Sequence, residues 1–373
     1  MTVYILNIIL CYVICQIGKS KSAYTGINTK KYTKTALILV YFLWVCLYTF
    51  RYKVGADSWS FNLLFEFFVQ TDYRFIDMLF LRRDWLFSVV EYISVKVLGF
   101  NRLGMYAMMG ALTYGPVLAV FADQDSYREN FDLSFVVLLY IGTMAFYSGY
   151  NGSRQAIATA FSMYAYYKYL RKGKIRGYIV YTFVAFGFHS AVLFAIPFQL
   201  ISMKRMNSII VKSSFFVLLV TCVFLPQVWD GVVSVLELFG QAKMARDYSN
   251  FSAKGSNVFR TLVAIAPIAI GFVYFRKLKE KNKEFESDLI LSAFSAIFML
   301  FSFRSAIFAR VSGIIGVSNV FLISQLKYTT RQQKIGKFLI LTLYFVYMIL
   351  LLLDGDGHYY PYQFLPNINA TWV

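Results

Sequence analysis

The chain has 373 residues, of which 58% are hydrophobic, and it is unusually rich in phenylalanine (38) and tyrosine (29). Apolar runs of bilayer-spanning length recur from end to end, which excludes an ordinary soluble protein and predicts a polytopic helical membrane protein. The runs are continuous, so an outer-membrane barrel with alternating residues is disfavoured. The formal net charge of +18 does not indicate nucleic-acid binding, because Lys and Arg cluster in short loops between the apolar runs.

In chain order, hydropathy predicts about 11–12 transmembrane helices in a single integral membrane domain, residues 1–373. The first run is predicted to be a retained helix, because no basic residues precede it and no cleavage signal follows. The four cysteines form no CxxC pair, so neither a disulfide framework nor a zinc site is expected. The predicted spans are 2–18, 35–50, 85–100, 103–122, 131–147, 155–170, 178–201, 214–229, 259–275, 289–303, 307–324 and 336–353.

Five basic segments are expected to face the cytoplasm under the positive-inside rule. They are 18–34, 171–177, 203–212, 276–284 and 327–337. This orientation assigns the two longest polar connections, the loops 51–84 and 230–258, to the outer face. The segments 148–154 and 304–306 and the tail 354–373 are assigned to the same face.

The first half of the chain breaks the even number of crossings that this orientation requires. Five predicted spans separate 18–34 from 171–177. Either a half-inserted segment within 59–81 or a missed boundary would restore the count.

The second half has a related problem, because the run 178–201 alone separates two basic segments. Either 203–212 lies outside, or the run is a broken helix pair that enters and returns. The second alternative requires a hinge at Gly187, a kink at Pro197 and His189 near the tip. Irregular backbone of this kind is tolerated in membranes where it is buried or lines a cavity.

Two outward segments at span ends carry several polar side chains. "FRYKVGADSW" supplies Arg51 and Asp57, although a snorkelling arginine is an alternative for the first. "NGSRQ" supplies Asn151, Arg154 and Gln155, which on one helix lie a turn apart and share a face. A helix-capping Asn with an interfacial Arg is the alternative there.

Further polar groups come from later segments. His189 lies inside an apolar run, either as a helix-contact residue or as a functional group. "FRSAIFAR" supplies Arg304 and Arg310, which either anchor a hairpin or bind an anion. The small-residue run "VSGIIGVSNVF" that follows predicts close helix packing. The tail "DGDGHYYPYQFLPN" either covers a site or forms an interfacial belt. Arginines from three segments suit a substrate with phosphate and hydroxyl groups.

Three segments resemble, in order and spacing, motifs of the EpsG-like branch of Wzy-type polysaccharide polymerases. They are "FRYKVGADS" (50–58), "NGSRQAIA" (151–158) and "AFGFHSAVL" (185–193). Ala56 stands where the family often carries Thr, and Arg310 is similar to a further family arginine. The resemblance implies a fold similar to lipid-dependent GT-C-type glycosyltransferases, in the bacterial cytoplasmic (inner) membrane, with an outward-facing active site.

The resemblance also implies a metal-independent glycosyltransferase that joins glycan repeat units carried on undecaprenyl diphosphate. Its expected partners are those units and membrane lipid, with a chain-length regulator and a flippase; neither nucleic acid nor a cofactor is expected. The alternatives are a flippase or transporter of the lipid-linked glycan and a membrane acyltransferase. The catalytic candidates are His189, Asp57 and Arg154, with His189 slightly favoured as base. The substrate-binding candidates are Arg51, Asn151, Gln155, Arg304 and Arg310.

Overall fold

Helices are the regular secondary structure of the residues that the computed structural model describes, together with one isolated antiparallel bridge between Arg51 and Phe364. This is the architecture of an all-α membrane protein. The described residues are 1–25, 29–71, 74–81, 84–127, 131–203, 258–279, 283–303, 307–326, 330–355 and 357–364, together with 220 and 234. The predicted span 214–229, the loop 230–258 and Arg304 lie outside the described residues, except at isolated positions.

The chain divides into two compact units, of which the first comprises Met1–Ser190 and Tyr328–Val373. Its helices are α1 (Thr2–Thr25), α2 (Thr29–Thr49), α3 (Ser58–Gln70), α4 (Phe75–Leu81), α5 (Trp85–Tyr92), α6 (Arg102–Tyr127), α7 (Leu133–Gly142), α8 (Ser148–Asn151), α9 (Ser153–Tyr164), α10 (Ile175–Phe188) and α16 (Arg331–Leu353). Helix α5 continues as a π-helical turn, Ile93–Val97, and α9 continues through a π-helical turn, Ala165–Tyr169, and a 3-10 turn, Leu170–Lys172.

The second unit comprises Ala191–Lys327. Its helices are α11 (Ile196–Met203), α12 (Val258–Lys279), α13 (Lys283–Phe301), α14 (Ile307–Gly316) and α15 (Ser318–Ser324). Helices α13 and α14 approach closely, since Ser295 and Ser312 each donate a hydrogen bond to the other's carbonyl oxygen, at 3.0 and 2.8 Å. This confirms the close packing predicted from the small residues of α14.

Three described helical stretches are long and apolar enough to cross a membrane: Thr2–Lys19, Arg102–Ser126 and Arg331–Leu353. Six shorter apolar helices of 10–17 residues coincide with five further predicted spans, two of the helices lying in the run 178–201. The total of 11–12 crossings and the similarity to GT-C-type enzymes stay predictions.

The helices of the first unit run between two ends of that unit, and several basic segments lie at one of these ends. Asp123 near the end of α6 forms an ion pair with Lys172 after α9, at 2.7 Å. Asp132, just before α7, pairs with Lys337 in α16. We call this the basic end.

The opposite end, which we call the motif end, holds residues of two of the motif segments. The backbone N–H of Ala56 donates to Asn151 Oδ1 at 2.7 Å. The Tyr4 hydroxyl at the start of α1 donates to the carbonyl oxygen of Tyr359 in the tail. The motif residues and the basic segments therefore lie at opposite ends of one compact unit.

The path of the chain between these ends explains why five spans, an odd number, were predicted between 18–34 and 171–177. Helix α2 starts at the basic end, where Thr33 hydrogen-bonds to Asp125, and ends beside the motifs. Helices α6, α7 and α9 then run to the basic end, back to the motif end and again to the basic end. These four traverses make the even number that the orientation requires.

The predicted span 85–100 is wrong as a crossing, because both termini of this segment lie at the motif end of the unit. Asp84, before α5, pairs with Arg154 at 2.8 Å. Arg102, just after the segment, pairs with Glu66 of α3 at 3.2 Å. The described residues between 58 and 100 thus form short helices that begin and end at the motif end, and the predicted loop 51–84 contains α3 and α4.

The predicted break within 178–201 is present, but its residues differ from the expectation. Helix α10 ends at Phe188, and His189 is extended, with φ −161° and ψ 123°. Gly187 remains helical, where the absence of a Cβ lets Trp85 and Leu86 pack against it. Pro197 lies in the first turn of α11, directly after the first residue Ile196, where proline is tolerated without a kink.

Cysteine labelling tests which membrane face each end occupies. In a variant without native cysteines, Gln363→Cys at the motif end is expected to react with a membrane-impermeant maleimide in intact cells. Lys174→Cys at the basic end is expected to react only after permeabilisation, because basic segments are retained in the cytoplasm. Both positions are exposed, so the reverse pattern would overturn the orientation.

Candidate active site

The first two motif segments touch through their backbones. Gly55 has φ +97°, and a Cβ there would lie 2.3 Å from the carbonyl oxygen of Tyr150 and 2.8 Å from Asn151 Oδ1. Only glycine adopts this conformation without strain and permits so close an approach. Together with the Ala56–Asn151 hydrogen bond, this contact fixes the start of α3 against the end of α8.

The second motif is divided between two helices. Asn151 closes the short helix α8, and Gly152, at φ −128° and ψ 64°, interrupts the helix before Ser153 begins α9. The expectation that Asn151, Arg154 and Gln155 share one helical face is therefore wrong. Asn151 instead holds the first motif, while Arg154 projects from the first turn of α9.

Arg51 is enclosed by tyrosines. Its side chain is 1% exposed, and its guanidinium carbon lies 4.0, 4.8 and 5.4 Å from the ring centroids of Tyr48, Tyr150 and Tyr106. None of its three nitrogens has a hydrogen-bond acceptor among the described residues. Each cation–π contact contributes about 2 kcal/mol when desolvated, so the cage offsets part of the cost of burying the charge. The structure thus places this predicted substrate ligand in the protein interior.

Tail residues 357–364, which we call the strap, cover Arg51. The N–H of Tyr52 donates to the carbonyl oxygen of Gln363 at 2.8 Å, and the N–H of Gly55 donates to that of His358 at 2.9 Å. The hydroxyl of Tyr362 donates to the carbonyl oxygen of Leu47. Burial raises the pKa of Tyr362, against the opposing charge of Arg51. The strap therefore packs on the motif end of the first unit, beside Arg51.

Arg154 is held by a carboxylate that the sequence reasoning missed. Its Nη1 donates to Asp84 Oδ2 at 2.8 Å. The Asp84 side chain is 11% exposed, whereas that of Arg154 is 43% exposed. A guanidinium fixed at one nitrogen and exposed over much of its surface is suited to binding an anion.

His189 belongs to the same assembly through the helix that it ends. Phe188 stacks on Phe161 of α9 with ring centroids 5.8 Å apart. Trp85 at the start of α5 packs against Phe183 of α10 at 6.0 Å. Helix α10 is thereby attached both to the helix of Arg154 and to the helix that follows Asp84. His189 itself is half-buried.

The other predicted site residues are distributed as follows. Asp57 is exposed at the start of α3, where its side chain makes no capping hydrogen bond. Gln155 is half-buried beside Arg154 in the first turn of α9. Arg310 is exposed on α14 of the second unit. The structure therefore brings together candidates from three motif segments within the first unit.

Sequence signals for the missed residues were weak for Asp84 and Tyr48 and absent for Tyr106. Asp84 is an acidic residue directly before an apolar run, in "RRDWLFSVV". Tyr48 precedes Arg51 by three residues, the spacing of neighbours on a helix. Tyr106 had no sequence signal, because its contact with Arg51 arises from the packing of α2 on α6.

The arrangement offers arginine, carboxylate, amide and imidazole groups at one end of a helical unit. Such groups can bind an anionic leaving group and accept a proton. In the part of the chain described by the structure, no group of three or more His, Cys, Asp or Glu side chains is arranged to hold a metal ion. Metal independence stays a prediction.

Comparison with known proteins gave one match of broad extent. The family model described as the EpsG family matches residues 34–364. That range includes all three motif segments, the intervening Asp84 and the strap. Searches of curated proteins and of solved structures gave no match. Because the matched range extends over nearly the whole sequence, the chain belongs to the EpsG family.

Proposed function

We propose that this protein polymerises polyprenyl-diphosphate-linked oligosaccharide repeat units at the outer face of the bacterial cytoplasmic membrane. The family supports a polysaccharide polymerase-like role. The observation that carries the finer proposal is the half-exposed Arg154, held at the motif end beside the junction of two motifs. A fixed, exposed guanidinium suits a diphosphate, whose oxygens accept paired hydrogen bonds.

The proposed reaction transfers a glycan from its lipid diphosphate to a sugar hydroxyl of a second lipid-linked unit. The bond from the anomeric carbon to the diphosphate oxygen breaks, and a bond from that carbon to the acceptor oxygen forms. The acceptor proton passes to a base, and the lipid diphosphate leaves. Diphosphate is a good leaving group, so orientation and charge stabilisation supply most of the rate enhancement.

Each residue has a proposed role that follows from its surroundings. Arg154 stabilises charge growing on the leaving diphosphate, and Gln155 binds sugar hydroxyls beside it. His189 is the proposed base, with Asp57 as the alternative on the exposed start of α3. Arg51 and Asn151 act mainly on the shape of the site, since one is enclosed in the tyrosine cage and the other holds Ala56.

The arginines of the second unit belong to the proposal as further anion ligands. Arg310 is exposed on α14, and Arg304 precedes that helix in sequence. Undecaprenyl-diphosphate-linked units and membrane lipid are the proposed partners. A chain-length regulator and a flippase are further proposed partners in the same biosynthetic pathway.

Reconstitution tests the proposal directly. The purified full-length protein, placed in lipid vesicles with a synthetic undecaprenyl-diphosphate-linked repeat unit, is expected to yield a ladder of longer glycans and free undecaprenyl diphosphate. A deletion strain is expected to leave single repeat units on the final carrier. Complete loss of exported units in that strain would instead indicate a flippase, and transfer of acyl groups in vesicles would indicate an acyltransferase.

A further inference from the structure

Asp84 occupies the point where the elements carrying Arg154 and His189 meet. It directly precedes α5, and Trp85 and Leu86 at the start of that helix pack against Gly187 of α10. Its own carboxylate reaches across to Arg154 on α9. Asp84 thus connects the second motif, which contains Arg154, with α10, the helix that ends just before His189 of the third motif.

The carboxylate is available for this contact because it does not cap its own helix. Asp84 is the N-cap residue of α5, yet its side chain accepts no capping hydrogen bond. The backbone carbonyl oxygen serves the helix instead, accepting from the N–H of Phe87 at 3.1 Å. The carboxylate is therefore directed to another element, which is unusual because aspartate at this position commonly caps.

The two partners differ in exposure, and the difference separates this pair from an ordinary surface salt bridge. The Asp84 side chain is 11% exposed and that of Arg154 is 43% exposed. Exposed ion pairs contribute little because solvent screens them, but a largely buried carboxylate needs a partner. The buried Asp84 carboxylate fixes the guanidinium, and the rest of the Arg154 side chain is exposed at the protein surface.

From this geometry, and resting on the proposed function, we infer that Asp84 is a positioning residue for Arg154. It holds the guanidinium plane so that its exposed nitrogens meet the lipid diphosphate as charge develops there. A displacement of about 1 Å in such a group costs about 10²-fold in rate. Asp84 also cancels part of the charge of Arg154, so its removal should not weaken binding of the anionic substrate.

The test uses the purified full-length protein with the synthetic lipid-linked unit. Asp84→Asn is expected to lower kcat about 10²-fold while KM stays equal or falls, and Asp84→Glu is expected to recover part of the loss. Asp77→Asn is the matched control, since Asp77 is an acidic residue of the same segment whose ion pair among the described residues is with the exposed Arg74. It is expected to leave both constants unchanged.

A charge swap separates positioning from a purely structural role. The double variant Asp84→Arg/Arg154→Asp restores an ion pair and is expected to recover thermal stability without recovering activity. Recovery of activity by the swap, or an unchanged kcat in Asp84→Asn, would overturn the inference.

A second measurement does not depend on the polymerase reaction. Phenylglyoxal modification of Arg154, followed by mass spectrometry, is expected to be several-fold faster in Asp84→Asn than in the wild type, because the guanidinium is released. Equal rates would show that Asp84 does not restrain Arg154. If the wild type elongates no repeat units, the proposed function fails, while this measurement still decides the restraint.

Discussion

Arg154→Lys is expected to abolish polymer formation while the protein remains inserted and abundant. Lysine keeps the positive charge but has no planar fork, so it cannot hold Asp84 with one nitrogen and a phosphate oxygen with another. Loss of one such charge-stabilising group commonly costs about 10²–10³-fold in kcat. The measurement is the rate of glycan elongation by purified protein in vesicles, together with polymer length in a deletion strain.

Arg176→Lys is the control for this substitution. Arg176 is exposed near the start of α10, at the basic end, and the same chemical change there is expected to leave elongation unaffected. Full polymer length from Arg154→Lys in the deletion strain would refute the role assigned to Arg154, because charge alone would then suffice.

Gly55→Ala is expected to separate the first two motifs. The new Cβ would lie 2.3 Å from the carbonyl oxygen of Tyr150, a backbone atom that cannot move without displacing α8. The positive φ of +97° adds strain of about 1–3 kcal/mol for a non-glycine residue. We expect a lower unfolding temperature in detergent, lower abundance and loss of elongation.

The matched control is Gly173→Ala. Gly173 also has a positive φ, +71°, but no atom lies within 4 Å of the position that a Cβ would take. This variant carries only the backbone strain and is expected to show a small decrease in unfolding temperature with elongation intact. Equal effects of the two substitutions would mean that the contact between Gly55 and Tyr150 contributes nothing.

The sequence predicted those parts of the fold that depend on local composition. Apolar runs placed most helices, since a run of that length has few alternatives in a bilayer. The assignment of 85–100 as a crossing failed because length and hydropathy do not distinguish a traverse from a segment that returns. The deciding contacts, Asp84 with Arg154 and Arg102 with Glu66, join residues far apart in the chain.

The site was predictable to the extent that its residues lie in short motifs. The interaction of Asn151 with Ala56 was not predicted, because the sequence pattern placed Asn151 on the same helix as Arg154. The turn at Gly152 separates Asn151 from α9 and leaves its side chain beside the first motif. The cage around Arg51 was also not predicted. Tyrosine is abundant throughout this chain, and only the packing of α2, α6 and α8 selects Tyr48, Tyr106 and Tyr150 from the rest.

The strap has a consequence for biogenesis. Its Tyr362 contacts Leu47, which lies 315 positions earlier in the chain. At about 5–20 residues synthesised per second, roughly 15–60 s separate the two segments during translation. Throughout that interval Arg51 lacks the segment that covers its tyrosine cage. Membrane insertion of the early helices can therefore precede maturation of the site, which is completed only when the last part of the chain folds back.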